Sequence, residues 1–440
     1  FIFAGMVCRL GVALVASMLG RAAAGKAGGS LVSNVFGSNM VLQRDRPAPI
    51  WGWTTPGASV SVTASPDTTL RATARPTGIW KVTLPAQPAN ADPMTIAVSS
   101  EGNTVTLTNV VVGEVLFCSG QSNMEFTVNA AANATAEVAA AGDFKDVRLF
   151  SGPEQNVDTL NRPGVFNESH NELLYTRLNW SVASPQSVGC ADKSCQGWDY
   201  FSAVCWFAAR DLYLELGKTV PIGAVSQNYG GTSIQFWMSA DALRESAAPV
   251  ATQCCGQDGG PSCLWNTQVY PYTLGPMQFS AVIWYQGEQN ANCGGPTQTA
   301  GGVYSTMLQT MVADWRAKFA QPTLAFGECL LAAWQSKDLT SFAELRIAQA
   351  NLTAHTANSF VVSAIDRGDP NSGAVHSPYK QDVGLRAARG VAGVALNMSA
   401  SRYLGPTYRT AFATSPKAVR VTFDPAGLYG GAVAVNNSVG

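Results

Sequence analysis

Residues 110–126 read VVVGEVLFCSGQSNMEF: an apolar run interrupted only by Gly113 and Glu114, then an abrupt change to Ser, Gly, Gln and Asn. A run without polar alternation has the texture of a strand buried on both faces, as in a parallel sheet. Four later segments repeat it: VPIGAVSQ (220–227), FSAVIWYQ (279–286), TLAFGEC (323–329) and FVVSAI (360–365). Between or after them lie helical patterns, AVCWFAARDLYLELGK (203–218), VYSTMLQTMVADWRAKF (303–319), SFAELRIAQANL (341–352) and YKQDVGLRAARGVAGVAL (379–396). This alternation predicts an α/β domain over 110–400 with a doubly covered parallel sheet. Residues 151–200 and 252–278 lack periodicity and read as loop insertions.

Upstream, VSVTA (60–64), KVTLP (81–85), TIAVSS (95–100) and TVTLT (104–108) alternate apolar with polar residues between turns, which predicts a small β-sandwich domain over 31–109. Downstream, residues 401–440 return to strand texture and read as a second β region cut short. Residues 1–30 read as a leader: Arg9, the short apolar stretch LGVALVASMLG, Arg21 and the small residues Ala22, Ala23 and Ala24. With six N-x-[ST] sequons, at Asn133, Asn167, Asn179, Asn351, Asn397 and Asn436, this suggests a glycosylated product of the secretory pathway.

Charge is sparse. Lys+Arg 28 and Asp+Glu 29 make 13% of 440 residues and leave a net charge of −1, against roughly 25% charged residues in an ordinary soluble protein. That argues against a nucleic-acid partner, which needs a basic face, and no apolar run is long enough to span a membrane. Attached glycans would then carry much of the solubility. Of the ten cysteines, Cys190/Cys195 and Cys254/Cys255/Cys263 sit in loops that disulfides would staple, and Cys118 is the expected free thiol. Three histidines, none near the cysteines, make a metal site improbable on composition.

Ligands of open parallel sheets gather beyond the carboxyl ends of the strands. The turns there are SGQSNMEF, SQNYGGTSIQFW, YQGEQNAN and DRGDPNSGAVHSP. They hold a hydroxyl, small glycines, carboxamides and an Asp/His segment, the set required for acyl transfer. Ser122 is the candidate nucleophile and His376, of His170, His355 and His376, the candidate base. Gly230 and Gly231 would let backbone N–H groups approach an oxyanion, and Gln286 offers a side-chain donor in competition with Glu288 and Asn290. Trp237, Trp284 and Tyr285 are either core residues or stacking surfaces for a sugar ring. A helix cap at Ser122 and a structural histidine at position 376 are the bland alternatives.

GQSNM, YGGTSIQFW, WYQGEQNA and VHSPYKQDVGLRAA, in that order, resemble the sialate O-acetylesterase family of the SGNH (GDSL-like) hydrolase superfamily, and SNMVLQRDRPAPIWGWTTPGASVSV (38–62) resembles its opening β domain. The similarity covers roughly residues 31–430. It implies a three-layer α/β/α SGNH-like domain after a β-sandwich, and a secreted or lysosomal serine esterase that removes acetyl groups from sugars, typically sialic acids, without metal or cofactor. By position it implies Ser122 as nucleophile, His376 as base, and an oxyanion hole from the Ser122 and Gly231 backbone with Gln286. Gly230, Glu288, Asn290 and Trp237 are the expected substrate-binding residues. The pattern departs at the acid: relatives often show D-x-x-H, but Gly373 stands at that position. Asp366 at the strand end is the favoured acid, with Asp369, Glu288 or a Ser–His dyad as alternatives. Ser377 also displaces by one place the Pro that often follows the histidine. The segment CLWNTQVYPYTLGPMQ departs from the family as well and is expected to line the pocket. A polysaccharide deacetylase acting on acetylxylan is the same-chemistry alternative, and an inactive sugar-binding protein the different-class one.

Overall fold

The computed structural model describes residues 29–65, 67–152, 169–190, 200–246, 260–293, 301–334, 339–398 and 402–428. Residues 1–28 of the leader, Asn167, Asn436, Cys195, Cys254 and Cys255 lie outside these. The strands are β1 Val41–Gln43, β2 Ala48–Trp53, β3 Ser59–Ala64, β4 Thr68–Thr73, β5 Ile79–Leu84, β6 Asn90–Ser100, β7 Asn103–Gly120, β8 Val147–Ser151, β9 Leu178–Val182, β10 Ile222–Asn228, β11 Ala281–Tyr285, β12 Ala325–Leu330, β13 Ser359–Ser363, β14 Tyr408–Ser415 and β15 Ala418–Phe423.

In the N-terminal part, β3 pairs antiparallel with β4 and β6, β6 with β7, and β2 with β5. Burial alternates along β3 and β5, so one face of each packs inward, where Val60, Val62, Trp80 and Val82 are buried. β7 then changes character within one strand. Residues 103–109 are mostly exposed or half-buried, whereas Val110 to Gly120 are all buried. Its first half pairs with β6 and β1, its second half with β10 and β11. The expected boundary at 109/110 therefore falls inside a continuous strand. At the changeover the buried Glu114 accepts hydrogen bonds from Gln43 Nε2 (2.8 Å), Arg44 Nε (2.5 Å) and Ser280 Oγ (2.5 Å), which compensates the cost of burying its carboxylate.

The central sheet has the order β13-β12-β11-β7-β10-β8-β9, parallel throughout except for β9, which pairs antiparallel with β8. Successive side chains of β7 point to opposite faces. Phe117 meets Trp315 of the helix Gly301–Lys318, with ring centroids 5.9 Å apart, and Cys118 is disulfide-bonded to Cys205 of the helix Ala203–Glu215. Helices therefore cover both faces, giving three layers. The helix Gln381–Gly390 packs on Ala203–Glu215, and Leu339–Ala350 on Gly301–Lys318.

Three expectations are corrected. Cys118 is not a free thiol, because its inward position on β7 faces Cys205 across the sheet–helix interface; Cys263 and Cys329 are free and buried. Cys190, as expected, is disulfide-bonded. Strand β9 arises within the region read as insertion 151–200, anchored by the buried Trp180, whose indole N–H donates to Val35 O at 2.9 Å. In the second insertion, Trp265–Val269 and Tyr270–Thr273 are helical and bury Trp265, Val269 and Tyr272 in the core. That segment packs inside the domain. At the other end, β14 and β15 form an exposed antiparallel hairpin. No helix among the described residues is long and apolar enough to cross a membrane.

Candidate active site

After β7 the chain leaves for β8 and β10 on one side and returns to β11, β12 and β13 on the other, so the end of β7 is the switch point of the sheet. The strand finishes at Gly120, whose φ of +147° and close approach to the Tyr285 carbonyl oxygen exclude a side chain. A single helical turn, Ser122–Glu125, follows at once. Ser122 stands half-buried at its start, with Oγ 2.9 Å from His376 Nε2. His376 arrives 254 residues later, on the loop between β13 and the helix Gln381–Gly390. Burial, and next the charge of Lys380, push its pKa down from 6.5 to about 4. The imidazole is neutral at pH 7 and able to accept the hydroxyl proton.

Asn123 connects these pieces. Its Nδ2 donates to Glu288 Oε1 at 2.6 Å and to the Val375 carbonyl at 3.1 Å, and its Oδ1 accepts from Lys380 Nζ at 2.6 Å. Glu288 and Lys380 are both buried; burial raises the Glu288 pKa and lowers that of Lys380 to about 8. Gln121 performs a similar function on the opposite side. Its Oε1 accepts from Gln286 Nε2 (3.1 Å), Gly287 N (3.2 Å) and Gln289 N (3.1 Å), tying the Ser122 turn to the turn after β11.

The remaining expected residues fall into distinct places. Gly231, with φ +69°, is half-buried in the turn after β10, and Tyr229 N in the same turn donates to Gly120 O at 3.0 Å. Gly230 is buried. Gln286 is fully buried and donates to Thr232 O (3.0 Å) and Asn290 Oδ1 (2.8 Å) as well as to Gln121. Asn290 is likewise buried, accepting from Ile234 N and donating to Gln235. Trp237 is 0% exposed, its ring edge-to-face with Trp284 and its indole N–H on Thr232 Oγ1. The structure thus makes Trp237, Trp284 and Tyr285 core residues, with no face left for a sugar.

Asp366 does not join the pair. Its carboxylate is held bidentate by Arg386 at 2.6 and 2.7 Å, which lowers its pKa, and Arg367 approaches to 3.3 Å. It lines a separate cleft of about 1000 Å³ with Arg386, Phe360, Tyr403 and Pro406. The cause is the 3-10 turn Ile365–Arg367, which directs the side chain toward the helix Gln381–Gly390. Asp369 is engaged locally by Asn371 N and Ser372. Gln121, Asn123 and Lys380 were not singled out from the sequence, although all three stand inside the segments quoted above. The carboxamides flanking Ser122, and the lone lysine between His376 and the helix that follows, were the available signals.

A doubly covered parallel sheet with a hydroxyl–imidazole pair at its switch point is an arrangement suited to ester hydrolysis. The chain belongs to the carbohydrate esterase, sialic acid-specific acetylesterase family, whose model matches residues 112–391, and it is a carboxylic ester hydrolase. It is 30% identical over 424 residues to sialate O-acetylesterase of Mus musculus, covering 83% of this chain and 74% of that one. The human sialate O-acetylesterase is 29% identical over 405 residues, covering 85% and 72%. Among solved structures, a carbohydrate acetylesterase from Xanthomonas citri superposes with a TM-score of 0.74 at 29% identity, covering 92% of this chain and 84% of that one.

Proposed function

We propose that the protein hydrolyses O-acetyl esters on sugars, sialic acids foremost, through a Ser122-linked acetyl intermediate. The observation that carries this reading is the 2.9 Å contact between Ser122 Oγ and the Nε2 of an imidazole that burial keeps neutral. His376 takes the hydroxyl proton as Oγ attacks the acetyl carbonyl. The oxyanion is stabilised by fixed donors, among which we assign the backbone N–H groups of Ser122 and Gly231. Collapse expels the sugar hydroxyl, which receives the proton from His376. Water, deprotonated by the same imidazole, then releases acetate and restores Ser122. Asn123 and its partners hold the two loops in register. Family membership and the names of the relatives support the sugar-acetyl substrate. The same relatives, the buried disulfide and the leader-like N-terminus support a place in the secretory pathway, secreted or lysosomal.

Acetate release from O-acetylated sialic acid and from acetylxylan, measured for the wild type and Ser122→Ala, tests the reading. Release from sialic acid that disappears in the variant is expected. Undiminished hydrolysis by Ser122→Ala would overturn the mechanism, and preference for acetylxylan would overturn the substrate.

A further inference from the structure

We infer that Gln121 supplies the side-chain N–H that holds the oxyanion, and that Gln286, expected in that role, is a positioning residue acting through Gln121. The inference rests on the acyl-transfer reading above. A carboxamide has one acceptor oxygen and one NH2 group, so its orientation is decided wherever a neighbour can only donate or only accept. For Gln286 the deciding neighbour is the Thr232 carbonyl, 3.0 Å from Nε2. The same Nε2 also faces Asn290 Oδ1 at 2.8 Å and Gln121 Oε1 at 3.1 Å. Asn290 cannot be turned round, since its Oδ1 accepts from Ile234 N at 3.0 Å. Three acceptors compete for two protons on a side chain that is 0% exposed. No proton of Gln286 is left for a substrate.

For Gln121 the deciding neighbours are the backbone N–H groups of Gly287 and Gln289, which donate to Oε1 at 3.2 and 3.1 Å. With the oxygen fixed there, the NH2 group must lie on the other side, where Nε2 is 3.5 Å from Ser122 Oγ. That contact is at the long limit of a hydrogen bond. It is well placed for an atom that forms later, because the oxyanion of the tetrahedral intermediate lies two bonds from Oγ. A donor poorly used in the ground state and well used in the transition state accelerates the chemical step and leaves substrate binding almost unchanged. Locking by three donors also means that the amide need not reorient when charge develops.

The test compares Gln121→Glu, Gln121→Met, Gln286→Met and Ser122→Ala, each checked for its fold by near-UV circular dichroism, with an aryl acetate as substrate. Glu at position 121 retains the acceptor for Gly287, Gln289 and Gln286 while losing the donor. Met loses the donor without adding charge. Both are expected to lower kcat by about 10²–10³-fold, as loss of one oxyanion donor does, with KM within a few-fold of wild type. Gln286→Met is expected to cost less in kcat. Folded Gln121 variants with kcat within about threefold of wild type, or a larger kcat loss in Gln286→Met than in either of them, would overturn the inference even with Ser122→Ala inactive. An active Ser122→Ala would instead remove the acyl-transfer reading, and the inference with it.

Discussion

The ammonium of Lys380 donates to Oδ1 of Asn123 at 2.6 Å, and that bond fixes which way round the amide lies. Its Nδ2 is thereby left for Glu288 and for the carbonyl of Val375, the residue before His376. Asn123, next to Ser122, is thus tied to the residue before His376. Asn123→Ala is expected to reduce kcat by about 10²-fold with little change in KM, since small misplacements of reacting groups have effects of that size. Steady-state kinetics on an aryl acetate would check it, and an unchanged kcat would show that the loops hold their register without this amide.

The His376 pKa of about 4 places the acid limb of kcat/KM near pH 4, well below that of an ordinary histidine. Burial is the larger cause and Lys380 the second. Lys380→Met removes a positive neighbour that disfavours the imidazolium, so the limb should move upward, though only part of the way to 6.5. A pH–rate profile whose acid limb stays put would exclude Lys380 as a determinant.

The same shift affects stability. The folded pKa lies below that of the unfolded chain, so the unfolded state binds the extra proton between about pH 4 and 6.5, and this contribution to stability falls as pH falls through that window. His376→Gln escapes the penalty. Its Tm relative to wild type is expected to rise as pH is lowered from 6.5 toward 4 and to change little above pH 7. Thermal unfolding across that range measures it.

Asp366→Asn should retain most of the activity, because both carboxylate oxygens are committed to Arg386. The pair is about half exposed on the Asp side, and its loss should cost about 1 kcal/mol of stability or less. A loss of kcat above about 10³-fold, as removal of a triad acid produces, would return Asp366 to the catalytic machinery.

Replacing Cys118 and Cys205 together by Ala removes a cross-link across a sequence separation of 87 residues. Chain-entropy arguments set an upper figure of about 4.6 kcal/mol for a loop of that length, and disulfides typically contribute about 2–4 kcal/mol. Denaturant unfolding should show a lower midpoint, and an unchanged midpoint would mean that packing alone holds the helix to the sheet.

How much of this could be read from the chain depended on which physical signal each element carries. β10, β11, β12 and the second half of β7 announce themselves because burial on both faces favours apolar runs, and the edge strand β13, buried on one face only, carries the short apolar run FVVSAI. β9 does not, since only Trp180 within it is buried and its partner is a single antiparallel neighbour. Ser122 and His376 draw attention by the chemistry of their side chains in segments that follow strands, and they lie 2.9 Å apart. The carboxamides are different: Gln121, Asn123, Gln286 and Asn290 offer the same donors and acceptors, and only the direction of neighbouring backbone groups decides which faces a substrate. Asp366 was misread for a related reason, as a carboxylate at a strand end with the arginine that claims it 20 residues away. Trp237 shows the reverse case, an aromatic residue beside polar turns that packs entirely inward.

β7 carries the Ser122 turn at one end and belongs to the N-terminal sheet at the other. The upstream sheet is therefore a foundation for the esterase domain: the strand that presents Ser122 is clamped over its first half by β6 and β1. Excising residues 29–102 would not free an autonomous catalytic unit. It would strip the partners from Asn103–Gly113, expose a row of unpaired backbone groups as an adhesive edge, and loosen the base on which Ser122 stands. Trimming this enzyme to its catalytic core would accordingly have to begin with a redesign of that strand.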